Sequence, residues 1–108
     1  MNRIYLDYNS SAPCRPEVAA RVEEVSRGIV GNPSSAHREG RDARAVVDAA
    51  REEIAAAIGA RPGEIVFTSG GTEADHLAIF GAWRAAASPR PHIVTSRIEH
   101  DAVRSACR

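Results

Sequence analysis

A β-like run, Glu64-Ile65-Val66-Phe67-Thr68, leads directly into Ser69-Gly70-Gly71-Thr72-Glu73, and from Thr72 onward the apolar spacing is helical. A glycine turn at that junction presents backbone N–H groups at the positive end of a helix dipole, the arrangement that holds a phosphate. Gly70 and Gly71 permit close approach, and Thr72 adds a hydroxyl. The same spacing also fits a plain helix cap at Thr72, with Asp75 completing a capping-box-like pattern. Local spacing leaves both readings open. The segment is neither a Walker A loop, which needs a lysine, nor a GxGxxG turn.

His100 follows a second β-like run, His92-Ile93-Val94-Thr95-Ser96. Ligands of α/β sheets bind beyond the carboxyl ends of strands, so Thr72 and His100 are candidates to face one site. An imidazole there stacks on a ring or moves a proton, or it simply caps a helix. Asn32 and His37 lie in the polar loop Gly31-Asn32-Pro33-Ser34-Ser35-Ala36-His37, which by composition is a turn entering a helix. His76 is expected to point sideways from its helix, and His92 to be structural. The four histidines lack metal-ligand spacing, so no metal is expected. Cys14 and Cys107 form no CxxC pair and read as inert thiols in a reducing cytoplasm.

These residues need elements to hold them. Pro16 suits the first position of a helix that Gly28 ends, with Val18, Val22, Val25 and Ile29 on one face. A second helix is expected over about 36–58, striped by Ala43, Val47, Ala50, Ile54 and Ile58 and capped by Gly59. A third runs from Thr72 to a stop at Ser88-Pro89, and a fourth begins near Glu99. Ile4-Tyr5-Leu6 is a further short β-like run. Alternating strand and helix predicts an α/β fold with a parallel sheet.

The chain has 108 residues, room for one domain at most, with fourteen arginines, no lysine, fourteen acids and a net charge of zero. Neutrality gives no footprint for nucleic acid or an anionic membrane, and no signal peptide or membrane span is recognisable. The sequence closes at Arg108 without a helix stop signal, which suggests a polypeptide cut short.

Taken together, the segments resemble the N-terminal part of a cysteine desulfurase, in the class V aminotransferase group of pyridoxal-phosphate enzymes. The resemblance rests on Tyr5-Leu6-Asp7, on Gly31 to His37 with Gly40, on Ile65 to Glu73, and on His92 to Ser96 with Glu99-His100, in order and over essentially the whole chain. It implies part of a fold-type I transferase, a mostly parallel sheet with helices on both faces. Residues 1–15 would be an N-terminal arm or small-domain segment, and residues 16–108 the truncated start of the cofactor-binding large domain. Gly71 and Thr72 would hold the phosphate of pyridoxal phosphate. His100 would cover the pyridine ring and take part in proton transfer. Asn32 and His37 would border the substrate side.

The implied reaction turns L-cysteine into L-alanine and an enzyme persulfide that feeds iron–sulfur cluster or thiolation pathways. The implied partners are a sulfur acceptor or iron–sulfur scaffold protein and a second copy of the enzyme, in the cytoplasm. A selenocysteine lyase, an epimerase-like relative, or a non-catalytic phosphate-binding or interaction module are the alternatives. The stretch Tyr8-Asn9-Ser10-Ser11-Ala12 is poorer in Ala and Thr than is usual in the family, and His76 stands where the family commonly has Asn. The cofactor-bonding lysine is absent, and neither cysteine matches the sulfur carrier, so the chain alone is expected to be inactive. Its two main strands would also lack their family partners, which predicts marginal stability, aggregation, or a rearrangement in which they pair.

Overall fold

The computed structural model describes residues 3–88 and 91–108. Four α-helices follow in chain order: α1 (Pro16–Gly28), α2 (Arg38–Ile58), α3 (Gly71–Ala85) and α4 (Asp101–Ala106), with a 3-10 turn at Pro62–Glu64 between α2 and α3. The chain divides into two compact units, Met1–Ile65 and Val66–Arg108.

In the first unit, Pro16 occupies the first position of α1, where its missing N–H costs nothing, and Glu17 sits in the first turn. No residue of α1 is buried. The entry to α2 is closely built. Asn32 Oδ1 accepts from the Ser34 N–H at 2.9 Å, and the Asn32 carbonyl accepts from the Ser35 N–H at 2.9 Å. These two bonds fold the Asn-Pro-Ser-Ser stretch into a turn. Gly59 ends α2 at φ 70°, the left-handed conformation that disfavours a Cβ. The Arg51 guanidinium donates to the Ile65 carbonyl, and α2 packs on the 3-10 turn. The buried residues of α2 are Gly40, Ala43 and Ala55, so the expected stripe is only partly used: Ile54 and Ile58 are exposed.

In the second unit, α3 packs against α4. Ala102 and Ala106, one turn apart, are the buried residues of α4. Their small side chains permit close helix approach. The α3 helix ends at Ala85, and the expected stop at Pro89 lies outside the described residues.

The sheet is where expectation and structure part. Among the described residues there is no strand: Ile4–Leu6, Glu64–Thr68 and His92–Ser96 run without ladder bonds, and the last two do not pair with each other. Extended backbone becomes a strand only when a neighbour accepts and donates its peptide hydrogen bonds. Glu64 instead closes the 3-10 turn, and Ile65 is extended without a partner strand. Alternation of type in the sequence predicted strand-forming segments; it carries no information on which chain completes their ladder. No described helix is long and apolar enough to cross a membrane.

Candidate functional site

The start of α3 is an open helix N-terminus. Its first backbone bond runs from the Ala74 N–H to the Gly70 carbonyl at 3.1 Å, so the amides of Gly71, Thr72 and Glu73 precede the helical ladder. Gly70 is the N-cap and offers no side chain. A Cβ built on Gly70 or Gly71 would meet nothing within 4 Å, and Gly71 and Thr72 are exposed. Of the two readings left open, the plain cap at Thr72 with Asp75 is not formed, since the N-cap is Gly70. A helix of 15 residues thus points unclaimed donors and a hydroxyl into open space. That donor set suits a phosphate ester in number, charge and room.

Sequence reasoning missed the residue that shapes this turn. Glu73 Oε2 accepts from the Ser69 N–H at 2.7 Å and from Ser69 Oγ at 2.6 Å. The Thr68 hydroxyl donates to the Gly70 carbonyl at 3.1 Å. A glutamate in the first turn, four residues after a serine, was the available signal. His76 was also underread: its Nδ1 donates to the Thr72 carbonyl at 2.8 Å, because a carbonyl can only accept.

His100 is the N-cap of α4, and its Nδ1 accepts from the Ala102 N–H at 3.2 Å. The neutral ring therefore carries its proton on Nε2. The principal hollows of this unit follow α3, α4 and the 91–97 segment, and none is lined by Gly71, Thr72 or His100. The structure places these three residues at two helix starts within one unit. Asn32 and His37 belong to the first unit. His37 caps α2: its Nδ1 accepts from the Gly40 N–H at 3.3 Å and lies 3.0 Å from Glu39 Oε2. Both side chains are engaged in local structure. Among the described residues, no group of three or more His, Cys, Asp or Glu side chains is placed to hold a metal.

Two carboxylates titrate abnormally here. The Ser69 hydroxyl and amide hold Glu73 below the usual carboxylate range of about 4.5, and the Arg61 guanidinium and amide do the same for Glu64. A depressed folded pKa means stability present above the unfolded value and lost as pH falls through the folded one. In an NMR pH titration, the Ser69 and Arg61 amide shifts should therefore move with midpoints below 4.5. Midpoints at or above that value would show that the bonds do not persist in solution.

The aminotransferase class-V family model matches residues 4–108. The cysteine desulfurase IscS of Dictyoglomus turgidum is 46% identical over 104 residues, which is 96% of this chain and 26% of that protein. The cysteine desulfurase IscS of Pectobacterium atrosepticum is 49% identical over 108 residues, covering 97% and 27%. The selenocysteine lyase of Xenopus tropicalis is 40% identical over 114 residues, covering 94% and 26%. The chain thus spans about a quarter of the length of these curated relatives.

Proposed function

Because the chain belongs to the aminotransferase class-V family, we propose that it supplies the phosphate-binding helix start and the ring-facing histidine of a cysteine desulfurase that uses pyridoxal phosphate. The observation that carries this reading is the open turn at Gly70-Gly71-Thr72, whose amides precede the α3 ladder and whose glycines have clear space beside them. The Gly71 and Thr72 amides and the Thr72 hydroxyl bind the phosphate ester, favoured by the helix dipole. His100 lies over the cofactor ring. With Nδ1 held by the Ala102 amide, its Nε2 is the atom that holds or passes a proton. Asn32 and His37 border the substrate side. When bound, the cofactor supplies an electron sink for bonds at the substrate Cα.

In the wider reading, residues 1–15 are an arm or small-domain segment, and residues 16–108 begin a large domain built on a mostly parallel sheet. The 64–68 and 92–96 segments become strands there. The substrate is L-cysteine, and the products are L-alanine and an enzyme persulfide passed to a sulfur acceptor or iron–sulfur scaffold protein. The enzyme is a cytoplasmic homodimer. The likeness to cysteine desulfurases at 46% and 49% identity favours this over selenocysteine lyase, at 40%.

Pyridoxine 5′-phosphate, which lacks the aldehyde, tests the reading without covalent chemistry. It should shift the Gly71 and Thr72 amide resonances, whereas pyridoxine without its phosphate should not. Thr72→Ala should weaken binding by about tenfold, the value of one charge-assisted hydrogen bond. Equal responses to both compounds would overturn the phosphate assignment. With pyridoxal phosphate and borohydride, no side chain should be labelled, since the chain has no lysine. An adduct at the α-amino group is separable by peptide mapping.

A further inference from the structure

Ser69 and Glu73 close a ring of five residues. The carboxylate of Glu73 takes both the N–H and the hydroxyl of Ser69, at 2.7 and 2.6 Å. The residues left on the crest of that ring are Gly70, Gly71 and Thr72, the segment whose amides stay open. Two adjacent glycines have more backbone freedom than any other pair, so this crest has little intrinsic shape. The space beside both glycines is clear: a Cβ on either would meet no atom within 4 Å. Among the described residues, three sets of side-chain bonds give the crest a shape: the Ser69–Glu73 closure, the Thr68 hydroxyl on the Gly70 carbonyl, and His76 Nδ1 on the Thr72 carbonyl; the first of these spans the whole crest.

We infer that Glu73 is a positioning residue for the phosphate cradle, latching Ser69 across the start of α3 so that the Gly71 and Thr72 amides are held ready for an anion. This rests on the phosphate reading of the α3 N-terminus. The role is distinct from binding, because a carboxylate repels a phosphate. Glu73 contributes through its acceptor geometry and against its own charge. Its Oε2 also satisfies both donors of Ser69, leaving the later amides of the turn as those available to a ligand. A neutral acceptor of the same length separates the two effects: glutamine keeps the latch and removes the repulsion.

The full 108-residue chain, labelled with 15N, is titrated with pyridoxine 5′-phosphate as wild type, Glu73→Gln, Glu73→Ala and Ser69→Ala. Exchange of the Ser69 amide reports the latch, and the amide shifts of Leu77 to Trp83 report the folding of α3. Glu73→Ala should lose Ser69 protection and weaken binding about tenfold. Glu73→Gln should keep protection and bind within about threefold of wild type, or more tightly. Ser69→Ala, which keeps one of the two bonds, should fall between them, and it decides the matter if Glu73→Ala unfolds α3. Wild-type affinity in Glu73→Ala or Ser69→Ala, with α3 intact, would overturn the inference and leave the phosphate reading standing. Absence of any Gly71 or Thr72 response in the wild type would overturn both, whatever the Ser69 amide reports.

Discussion

Gly40→Ala should dismantle the entry to α2, lowering hydrogen-exchange protection of the Ser35 and Arg41 amides at least tenfold and reducing helicity by circular dichroism. Gly40 is buried at the first turn of α2, where its N–H donates to the His37 cap. A Cβ there would lie 2.8 Å from the Asn32 carbonyl oxygen and from Ser35 Cβ, and nearer still to the Ser35 carbonyl oxygen. Two of these atoms are backbone, so no rotamer change relieves the clash. Gly31 approaches the same crossing from the other side: a Cβ on it would lie 2.7 Å from the Gly40 nitrogen and closer to the Glu39 carbonyl. Overpacking of this kind costs roughly 1–3 kcal/mol, or more when main chain must move. The affected amides are those of the turn, Ser35 N–H on the Asn32 carbonyl, and of the first α2 bond, Arg41 N–H on the His37 carbonyl. Gly81→Ala is the contrast. It lies inside α3 with nothing within 4 Å of a Cβ, so helix propensity alone should raise helicity, by about 1 kcal/mol. Unchanged Ser35 exchange in Gly40→Ala would mean that the loop and helix do not cross this closely in solution.

The same residues show what the sequence made legible. Helix signals are local and were readable: Pro16 starts α1, Gly28 ends it, Gly59 takes the left-handed cap of α2, and the glycine turn precedes α3. Gly40 was visible only as one residue of a resemblance. Its packing reason is a crossing of two backbone segments, which no one-dimensional pattern records. At the α3 start the open donors were legible from Gly70-Gly71-Thr72, and local spacing equally allowed a plain cap at Thr72 with Asp75. The side chain that closes the turn is Glu73. Both assignments obey the same rule, that an early acceptor satisfies an orphan N–H, and geometry selects the partner. The strands failed for a different reason. Val, Ile and Thr describe a segment fit to be paired, whereas pairing depends on residues remote in sequence. The proximity of Thr72 and His100 was inferred through that sheet, so it stands only as part of the proposed fold.

Urea titration of the chain should give a broad, shallow loss of helicity, with an m-value below about 1 kcal/mol/M, and strong binding of an apolar dye before any urea is added. Among the described residues, the buried hydrophobic side chains are four alanines: Ala43, Ala55, Ala102 and Ala106. Alanine contributes little apolar area, so little surface changes environment on unfolding, and the slope that measures this change is small. The large apolar residues lie outside. Leu6, Val30, Val94 and Ile98 are 87–95% exposed, and Phe67, Phe80 and Trp83 are 44–47% exposed. Exposed ion pairs such as Arg21–Glu24 and Arg27–Glu23 hold side chains along α1 but add little net stability. What remains is helix propensity, strongest in α2 with its 21 residues rich in Ala, Arg and Glu, so α2 signals should be the last to disappear. A steep single transition of a soluble monomer would contradict this. It would mean that Val94, Ile98 and the aromatic face of α3 find cover within the 108 residues, and that the 64–68 and 92–96 segments have ladder partners after all.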